Sequence, residues 1–125
     1  MTTRIPSDVF DQGIPGNEFM PQFERITADA ETTLKRGGVI VINSAGASCA
    51  VTIPSDVRIG SYYVVGTESV AGGNHTLTLP TGMLFDGVAT KDVATFDAAH
   101  ETLTFFVESA TRATVVCNPA GITFS

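Results

Sequence analysis

Three short β-type runs follow one another within residues 37–66 and are separated by turns of small residues. The first run, residues 39–42, is an unbroken series of β-branched side chains, which is typical of a central strand covered on both faces. The second run, residues 49–53, alternates larger and smaller side chains, and Pro54 ends it because proline has no backbone N–H to donate. The third run spans residues 61–66, and we expect both of its tyrosines, Tyr62 and Tyr63, to be buried. A loop of small residues joins the first two runs, so we predict that they form a hairpin.

The remainder of the chain repeats this pattern of strands and turns. Its clearest strand is residues 75–80, where Leu77 and Leu79 alternate with threonines and are expected to face the core. Asp86 and Gly87 form a dipeptide that favours a tight turn. Seven to nine short strands without a helix predict an all-β fold, either an antiparallel β-sandwich or a small barrel. Further strands are predicted at residues 101–108 and 112–117 and in the segment formed by residues 25–28 and 32–35. Residues 88–96 are either a weaker strand or a loop, and residues 122–124 can add a last short strand.

One short motif occurs twice among the predicted strands. Residues 51–55 read VTIPS and residues 77–81 read LTLPT, at a spacing of 26 residues. A solenoid needs several repeats to bury a continuous core, and only two copies are present. We therefore interpret the two segments as equivalent hairpin strands that each reach an edge of a sheet.

The first 24 residues differ from the rest of the chain. Three prolines favour an extended backbone, while the apolar side chains follow no helix or strand period. We divide the chain into an extended N-terminal arm, residues 1–24, and a single β-sandwich domain, residues 25–125. The arm is expected to dock either on a partner or on its own sheet, through Ile5, Val9, Phe10, Ile14, Phe19, Met20 and Phe23.

Size and charge narrow the classes of partner. A chain of 125 residues is one domain by length. It has 7 basic and 13 acidic residues, a net charge of -6, and its largest basic cluster is the pair Lys35-Arg36, so a nucleic-acid backbone would be repelled. The N-terminal residues lack the apolar segment of a signal peptide, and no apolar run is long enough to span a membrane. We expect a soluble protein that binds neither nucleic acid nor membranes.

The low content of charged residues points to self-association. Only 16% of the residues are charged, against about 25% in typical soluble domains. Uncharged sheets with exposed edges aggregate unless the edges are covered, and a closed homo-oligomer covers them. Cys49 and Cys117 occupy apolar positions of their strands, which predicts two buried thiols rather than a disulfide. The strand residues expected to face solvent are mostly small, and include Thr52, Thr76, Thr78, Thr102, Thr104 and Thr114.

Catalytic motifs are missing from the sequence. There is no nucleophile elbow and no glycine-rich nucleotide-binding loop. Neither His75 nor His100 has the spacing of a metal ligand, so we assign His75 a structural role and His100 to a surface turn. We expect no enzyme activity, no cofactor and no metal. A small hydrolase stays an alternative if the acidic residues between Asp92 and Glu101 converge with His100.

Five features, taken together, resemble one group of viral proteins. They cover residues 31–66 and 101–117, about half of the chain. They are Thr33-Leu34 before Gly37, an apolar strand that ends in Asn43, the sequence VTIP at residues 51–54, a glycine-led aromatic and valine strand at residues 60–65, and the sequence LTFFV at residues 103–107. This pattern is similar to that of the small head decoration, or cement, proteins of tailed bacteriophages, and fibre-associated modules share it.

The resemblance implies a non-enzymatic structural protein of the virion. Such a protein is made in the host cytoplasm, is commonly a homotrimer, and binds the outer surface of the phage head, where it holds neighbouring major capsid proteins together. The N-terminal arm would then act as a clamp whose anchors, Phe10, Phe19, Met20 and Phe23, each contribute about 1–3 kcal/mol when fully buried. The alternative is a receptor- or carbohydrate-binding module of a phage fibre or tail.

Overall fold

The computed structural model describes residues 23–27, 29, 37–44 and 46–125. Every regular element within these ranges is a β-strand, so the predicted all-β fold is confirmed. There are ten such strands, one more than the upper predicted number. They are β1 (Phe23–Ile26), β2 (Gly37–Asn43), β3 (Ala50–Thr52), β4 (Tyr62–Ser69), β5 (His75–Thr78), β6 (Leu84–Phe85), β7 (Val93–Phe96), β8 (Thr102–Ser109), β9 (Arg112–Cys117) and β10 (Thr123–Phe124).

The strands form two sheets. The larger sheet has the strand order β1-β2-β4-β8-β9-β6, and the smaller has the order β10-β7-β5-β3. The pairs β1–β2, β2–β4, β3–β5 and β6–β9 are parallel. The pairs β4–β8, β5–β7, β8–β9 and β7–β10 are antiparallel. The expectation of an antiparallel fold is therefore wrong for half of the strand pairs.

The parallel pairs β2–β4 and β3–β5 arise because the chain alternates between the sheets. It passes from β2 in the larger sheet to β3 in the smaller, then to β4 in the larger and β5 in the smaller. One strand of the larger sheet and the following strand of the smaller sheet together form one coil of the chain. β4 therefore lies beside β2, and β5 beside β3, one coil later. The intervening strand in the opposite sheet serves as the crossover that parallel pairing requires. The predicted hairpin of β2 and β3 is wrong, since these two strands lie in different sheets.

The repeated motif is the sequence signature of these coils. Val51 pairs with Leu77 and Thr52 pairs with Thr78, at the motif's own spacing of 26 residues. In the larger sheet, Val39 pairs with Val64. Equivalent residues are thereby stacked in register, apolar on apolar and threonine on threonine. The two copies are neighbours in a solenoid-like stack, and they are not the independent hairpin strands expected from the sequence.

The loops of successive coils are stacked as closely as the strands. Gly37 has φ of +82° and passes the backbone of Tyr62 so closely that a Cβ atom would collide with the tyrosine carbonyl oxygen. Gly72 lies in the same way against the backbone of Ala47, in the corresponding loop of the preceding coil. Glycine is required at both positions because any larger residue would push the coils apart.

The chain reverses direction after β5 and closes the stack. β7 runs antiparallel to β5, and β8 runs antiparallel to β4. In the segment between β5 and β7, Asp86 and Gly87 both have positive φ, and the amide of Val88 donates to the carbonyl of Phe85 at 3.0 Å. The predicted tight turn at this dipeptide is confirmed.

One hydrophobic core receives side chains from both sheets. Leu77 and Leu79 are buried as predicted, and Leu103, Phe105 and Val107 are buried along β8. The largest buried side chains are aromatic and contact one another: the ring of Phe105 stacks on Tyr63 with centroids 5.2 Å apart and meets the ring of Phe85 edge-on at 5.4 Å.

Three sequence expectations about burial need correction. The run in β2 is buried on one face only, because Ile40 and Ile42 are in the core whereas Val39 and Val41 are partly exposed. Tyr62 was grouped with the buried strand residues but is 49% exposed. Cys49 is buried as predicted, and both thiols are free, but Cys117 is exposed.

A β-bulge explains the exposure of Cys117. In the β8–β9 ladder, Phe105 pairs with Val115 but Thr104 pairs with Cys117, so Val116 has no residue opposite. One extra residue reverses the alternation of side chains between the two faces. Cys117 therefore shares the solvent-facing side with Thr104.

Candidate interaction surface

The predicted arm is only partly within the described residues. Its residues Ile5, Val9, Phe10, Ile14, Phe19 and Met20 lie outside the described ranges, and their docking stays a prediction. Phe23 is described: it begins β1 and pairs with Val39 of β2. β1 thus starts two residues before the predicted domain boundary, and Phe23 is 58% exposed.

Phe23 lies on an apolar surface, which we call the outer face of the larger sheet. The outer face consists of Phe23, Val39, Tyr62, Val64 and Phe106, all pointing away from the core. Strand pairing places Phe23, Val39 and Val64 in one row across β1, β2 and β4. The rings of Tyr62 and Phe106 are parallel, with centroids 6.5 Å apart, in the adjacent row. A contiguous apolar surface of this kind is a feature of protein-binding sites.

Charged residues are confined to the margins of the outer face. The guanidinium of Arg25 forms an ion pair with Glu68 at 2.8 Å. At the opposite margin, Arg112 lies 3.4 Å from the carboxylate of Glu108. Arg112 also lies 3.9 Å from the carboxylate of Asp86. Among the described residues, the charged side chains at these margins are thus paired, and none stands between Phe23, Val64 and Phe106 on the outer face.

The outward side of the smaller sheet is different, and we call it the threonine face. Its side chains are short and uncharged, and aromatic rings are missing from it. It is formed by Thr52, Thr76, Thr78, Thr95 and Thr123, one or two from each of the four strands. The sequence predicted a solvent-facing position for Thr52, Thr76 and Thr78, and the structure adds Thr95 and Thr123. All five are partly or fully exposed.

The sheet edges are less available for pairing than the sequence suggested. The four edge strands are short: β6 and β10 have two residues each, β3 has three and β1 has four. The edge amide of Ala50 in β3 donates to the carboxylate of Asp29 at 2.7 Å. Short or capped edges are the usual protection against strand addition. The faces of the sheets are therefore the larger free surfaces among the described residues.

His75 has the structural role predicted for it. The side chain is fully buried, its Nδ1 accepts the backbone N–H of Cys49 at 3.0 Å, and its Nε2 donates to the carbonyl of Ser69 at 2.6 Å. Both ring nitrogens are consumed by backbone partners, so the imidazole has no lone pair to offer to a ligand.

The acidic loop before β8 is also self-contained. The Glu101 carboxylate accepts backbone N–H groups from Asp97 at 2.8 Å and Ala98 at 3.1 Å. The hydroxyl of Thr67 donates to the carbonyl of Ala98 at 2.8 Å. Glu101 is thus occupied in shaping its own loop, whereas Asp97 and His100 are exposed.

One open pocket of about 360 Å³ lies beside the tight turn, between β6 and β10. Phe85, Val88, Ile122 and Phe124 provide its apolar lining. The Asp86 carboxylate at its rim accepts the backbone N–H of Val115 at 2.9 Å. The pocket is therefore an apolar depression whose one acidic group is already engaged.

The described part of the chain contains no group of three or more residues suited to hold a metal ion. Across the same ranges no helix has both the length and the apolar character needed to cross a membrane. No protein-family model matches the chain, and a search of curated proteins gave no match.

The outer face could not be predicted from the sequence, because the apolar runs that contain its residues indicate strands buried on both sides. Val39, Val64 and Tyr62 belong to runs whose neighbours are also apolar, and such runs are typical of strands buried on both sides. The usable signal was the period-2 phase of each strand: once Ile40 or Tyr63 is assigned inward, the residues on either side must face outward.

Proposed function

We propose that this protein is a non-enzymatic structural protein that binds the outer surface of a phage head as a homo-oligomer and stabilises contacts between major capsid proteins. The outer face of the larger sheet carries the structural part of this proposal. Five apolar side chains stand together on it, with charges only at its margins. Such a surface gains free energy by packing against protein and provides no group for chemistry.

The buried polar groups support a structural role as well. Among the described residues, the one buried imidazole is His75 and the one buried carboxylate is Glu101, and each binds backbone groups of its own chain. Catalytic acids and bases must instead reach a substrate within a cleft. The hydrolase alternative requires the acidic residues between Asp92 and Glu101 to converge with His100, but the Glu101 carboxylate binds the backbone of its own loop.

The choice of a phage head as the binding site is supported by the sequence resemblance. We propose that the N-terminal arm provides the contact with the capsid, since six of its predicted anchors precede β1. The oligomer is proposed to be a trimer on the same resemblance. We further propose that the two sheets pack face to face as a sandwich, which is supported by their common hydrophobic core.

A receptor- or carbohydrate-binding module of a fibre or tail is the second candidate. The stacked parallel coils β2–β3 and β4–β5 favour it, because coils of this kind can extend along one axis. The antiparallel strands β7 and β8 close the stack on one side, however, and so limit such an extension.

Immunogold electron microscopy of virions would separate the two candidates. Antibodies against the chain should label the head under the leading proposal and the fibre or tail tip under the second. Failure to label any part of the virion would contradict both proposals.

Co-sedimentation with expanded heads then tests the arm. The double variant Phe10→Asp and Phe19→Asp should lose binding, because both changes place a charge among the proposed anchors. Ile59→Asp is a matched control, since Ile59 is 68% exposed and lies outside the arm. If the double variant binds as well as the wild type, the arm does not contact the capsid.

A further inference from the structure

We propose that the outer face of the larger sheet binds the same face of a second copy of this chain, in a two-fold pair. The inference rests on the proposed homo-oligomer. It specifies the contact surface and replaces the three-fold order that the resemblance implies by a two-fold one. Its residues are those already placed on the outer face, together with Gly66, Thr102, Thr104 and Cys117 on the same side of the sheet.

The outer face has a raised row and a depressed row, and the raised row of one copy fits the depressed row of another. Along β4 and β8 three rows cross the sheet: Tyr62 beside Phe106, then Val64 beside Thr104, then Gly66 beside Thr102. The first row is a ridge of two stacked rings and the third is a depression, because Gly66 has no side chain. The row containing Val64 lies midway between them.

A two-fold axis along the middle row would place ridge on groove. Rotation about that axis turns the second copy over and reverses its strand direction, while β4 stays over β4 and β8 over β8. Tyr62 then lies over Gly66 of the second copy. Two sheets packed face to face have strands nearly aligned, as this arrangement requires. A two-fold contact uses one patch twice, so one self-complementary surface is sufficient.

Charge selects this face for contact between copies. Two chains that each carry a net charge of -6 repel one another, and the repulsion is smallest where the contact surface is neutral. The apolar rows of the outer face carry no charge, and the charged side chains at its margins are held in ion pairs, Arg25 with Glu68 and Arg112 with Glu108 and Asp86. The threonine face is uncharged too, but it has no ridge of large apolar side chains to bury.

The area is sufficient for a small specific interface. The five strands have 4, 7, 8, 8 and 6 residues, and at about 3.3 Å per residue and 4.8 Å between strands they cover on the order of 500 Å². Interfaces of standard size begin at roughly 600 Å² per partner, so this area suits a weak pair that dissociates on dilution. Pairing by strand addition is disfavoured because none of the edge strands, β1, β3, β6 and β10, is longer than four residues.

The mass of the full chain in solution, measured by light scattering over a range of concentrations, is the first test. We expect a dimer that dissociates on dilution. Val64→Lys should shift it to monomer, because it buries a charge at the two-fold axis, and Gly66→Ile should do the same by filling the groove. The Cβ of residue 66 would lie 3.6 Å from its nearest neighbour, an ordinary contact, so the second variant keeps the monomer fold.

Thr76→Lys and Thr78→Ile are the matched controls on the threonine face, and both should remain dimeric. Circular dichroism of all four variants checks that they fold. A wild-type monomer at every concentration would overturn the proposal and would indicate that residues 1–22 or another protein cover the outer face. A trimer would overturn the two-fold pair while leaving the proposed head-binding function intact.

A crosslinking experiment tests the orientation independently of the mass. Cys117 lies at the β9 end of the middle row, so the axis brings it opposite Cys117 of the second copy. A short bis-maleimide should therefore link two copies through Cys117 in the wild type and fail to do so in Val64→Lys. Equal crosslinking of both proteins would contradict the two-fold arrangement. Head binding is measured separately, so the two proposals can fail independently.

Discussion

The backbone amide of Cys49 donates to Nδ1 of His75 across 3.0 Å, although the two residues are 26 positions apart in the chain. That spacing is one coil of the stack, and the same imidazole donates through Nε2 to the carbonyl of Ser69. His75 thus joins the start of β5 to the loop before β3 and to the end of β4. It satisfies two backbone groups that strand pairing leaves without partners.

Replacement of His75 should therefore destabilise the whole domain. His75→Ala leaves a buried N–H and a buried C=O unpaired, and we expect a loss of about 2–4 kcal/mol in the free energy of unfolding. Urea denaturation followed by circular dichroism measures it. His100→Asn is the control, since His100 is exposed with φ of 64°, which asparagine tolerates, and should cost at most about 0.5 kcal/mol. Equal losses would show that the imidazole bridge contributes little.

The close approach of successive coils can be tested at Gly37. Gly37→Ala should cost about 2–4 kcal/mol, because the added Cβ meets the backbone of Tyr62 and the positive φ strains alanine. Gly60→Ala separates these effects. Gly60 also has positive φ, +92°, but open space surrounds its Cβ position, so only about 1 kcal/mol of backbone strain is expected. Thermal unfolding of both variants gives the comparison, and similar values would argue against tight contact between coils.

Thr67 holds the loop that precedes β8. Its hydroxyl donates to the carbonyl of Ala98 at 2.8 Å and accepts the amide of Glu101 at 3.3 Å. Thr67→Val keeps the shape but removes both bonds, and we expect a loss of about 1–3 kcal/mol in chemical denaturation. Thr95→Val on the threonine face is isosteric in the same way and should change stability by about 0.5 kcal/mol or less. A neutral Thr67→Val would mean that the loop keeps its conformation without the hydroxyl.

The two cysteines should differ sharply in reactivity. Cys117 is exposed and Cys49 is buried, so an aromatic disulfide reagent should titrate one thiol in the folded protein and both after denaturation. The assay is best done in the Val64→Lys background, where self-association cannot shield Cys117. Cys117→Ser should abolish the fast reaction. Rapid reaction of both thiols in the folded state would contradict the burial of Cys49.

The strand segments could be predicted because alternation of side chains is a local property. The leucines of β5 and the Leu103, Phe105 and Val107 series of β8 are buried as their period indicated. The failures occurred where the pattern is uninformative or broken. In β2 the outward-facing residues Val39 and Val41 are apolar, so the sequence pattern alone places them in the core. In β9 the bulge at Val116 reverses the alternation that would have buried Cys117.

The candidate surface was harder to predict than the strands that build it. Phe23 was recognised as an anchor, but its neighbours Val39 and Val64 come from different coils, and only strand pairing brings the three together. The spacing between the repeated segments VTIPS and LTLPT equals the length of one coil, 26 residues. The same spacing is also compatible with two separate hairpins, so it did not identify the stack.

Period-2 patterns, proline stops and the Asp86-Gly87 turn were thus enough to establish an all-β chain and most of its strand positions, since each depends on residues that are close in sequence. The direction of pairing was decided only by the tertiary structure. A strand's backbone can form its hydrogen bonds in a parallel or an antiparallel ladder, and the choice depends on where distant segments complete the common core. That choice places Val51 beside Leu77 in the smaller sheet. In the larger sheet it places Val39 between Phe23 and Val64.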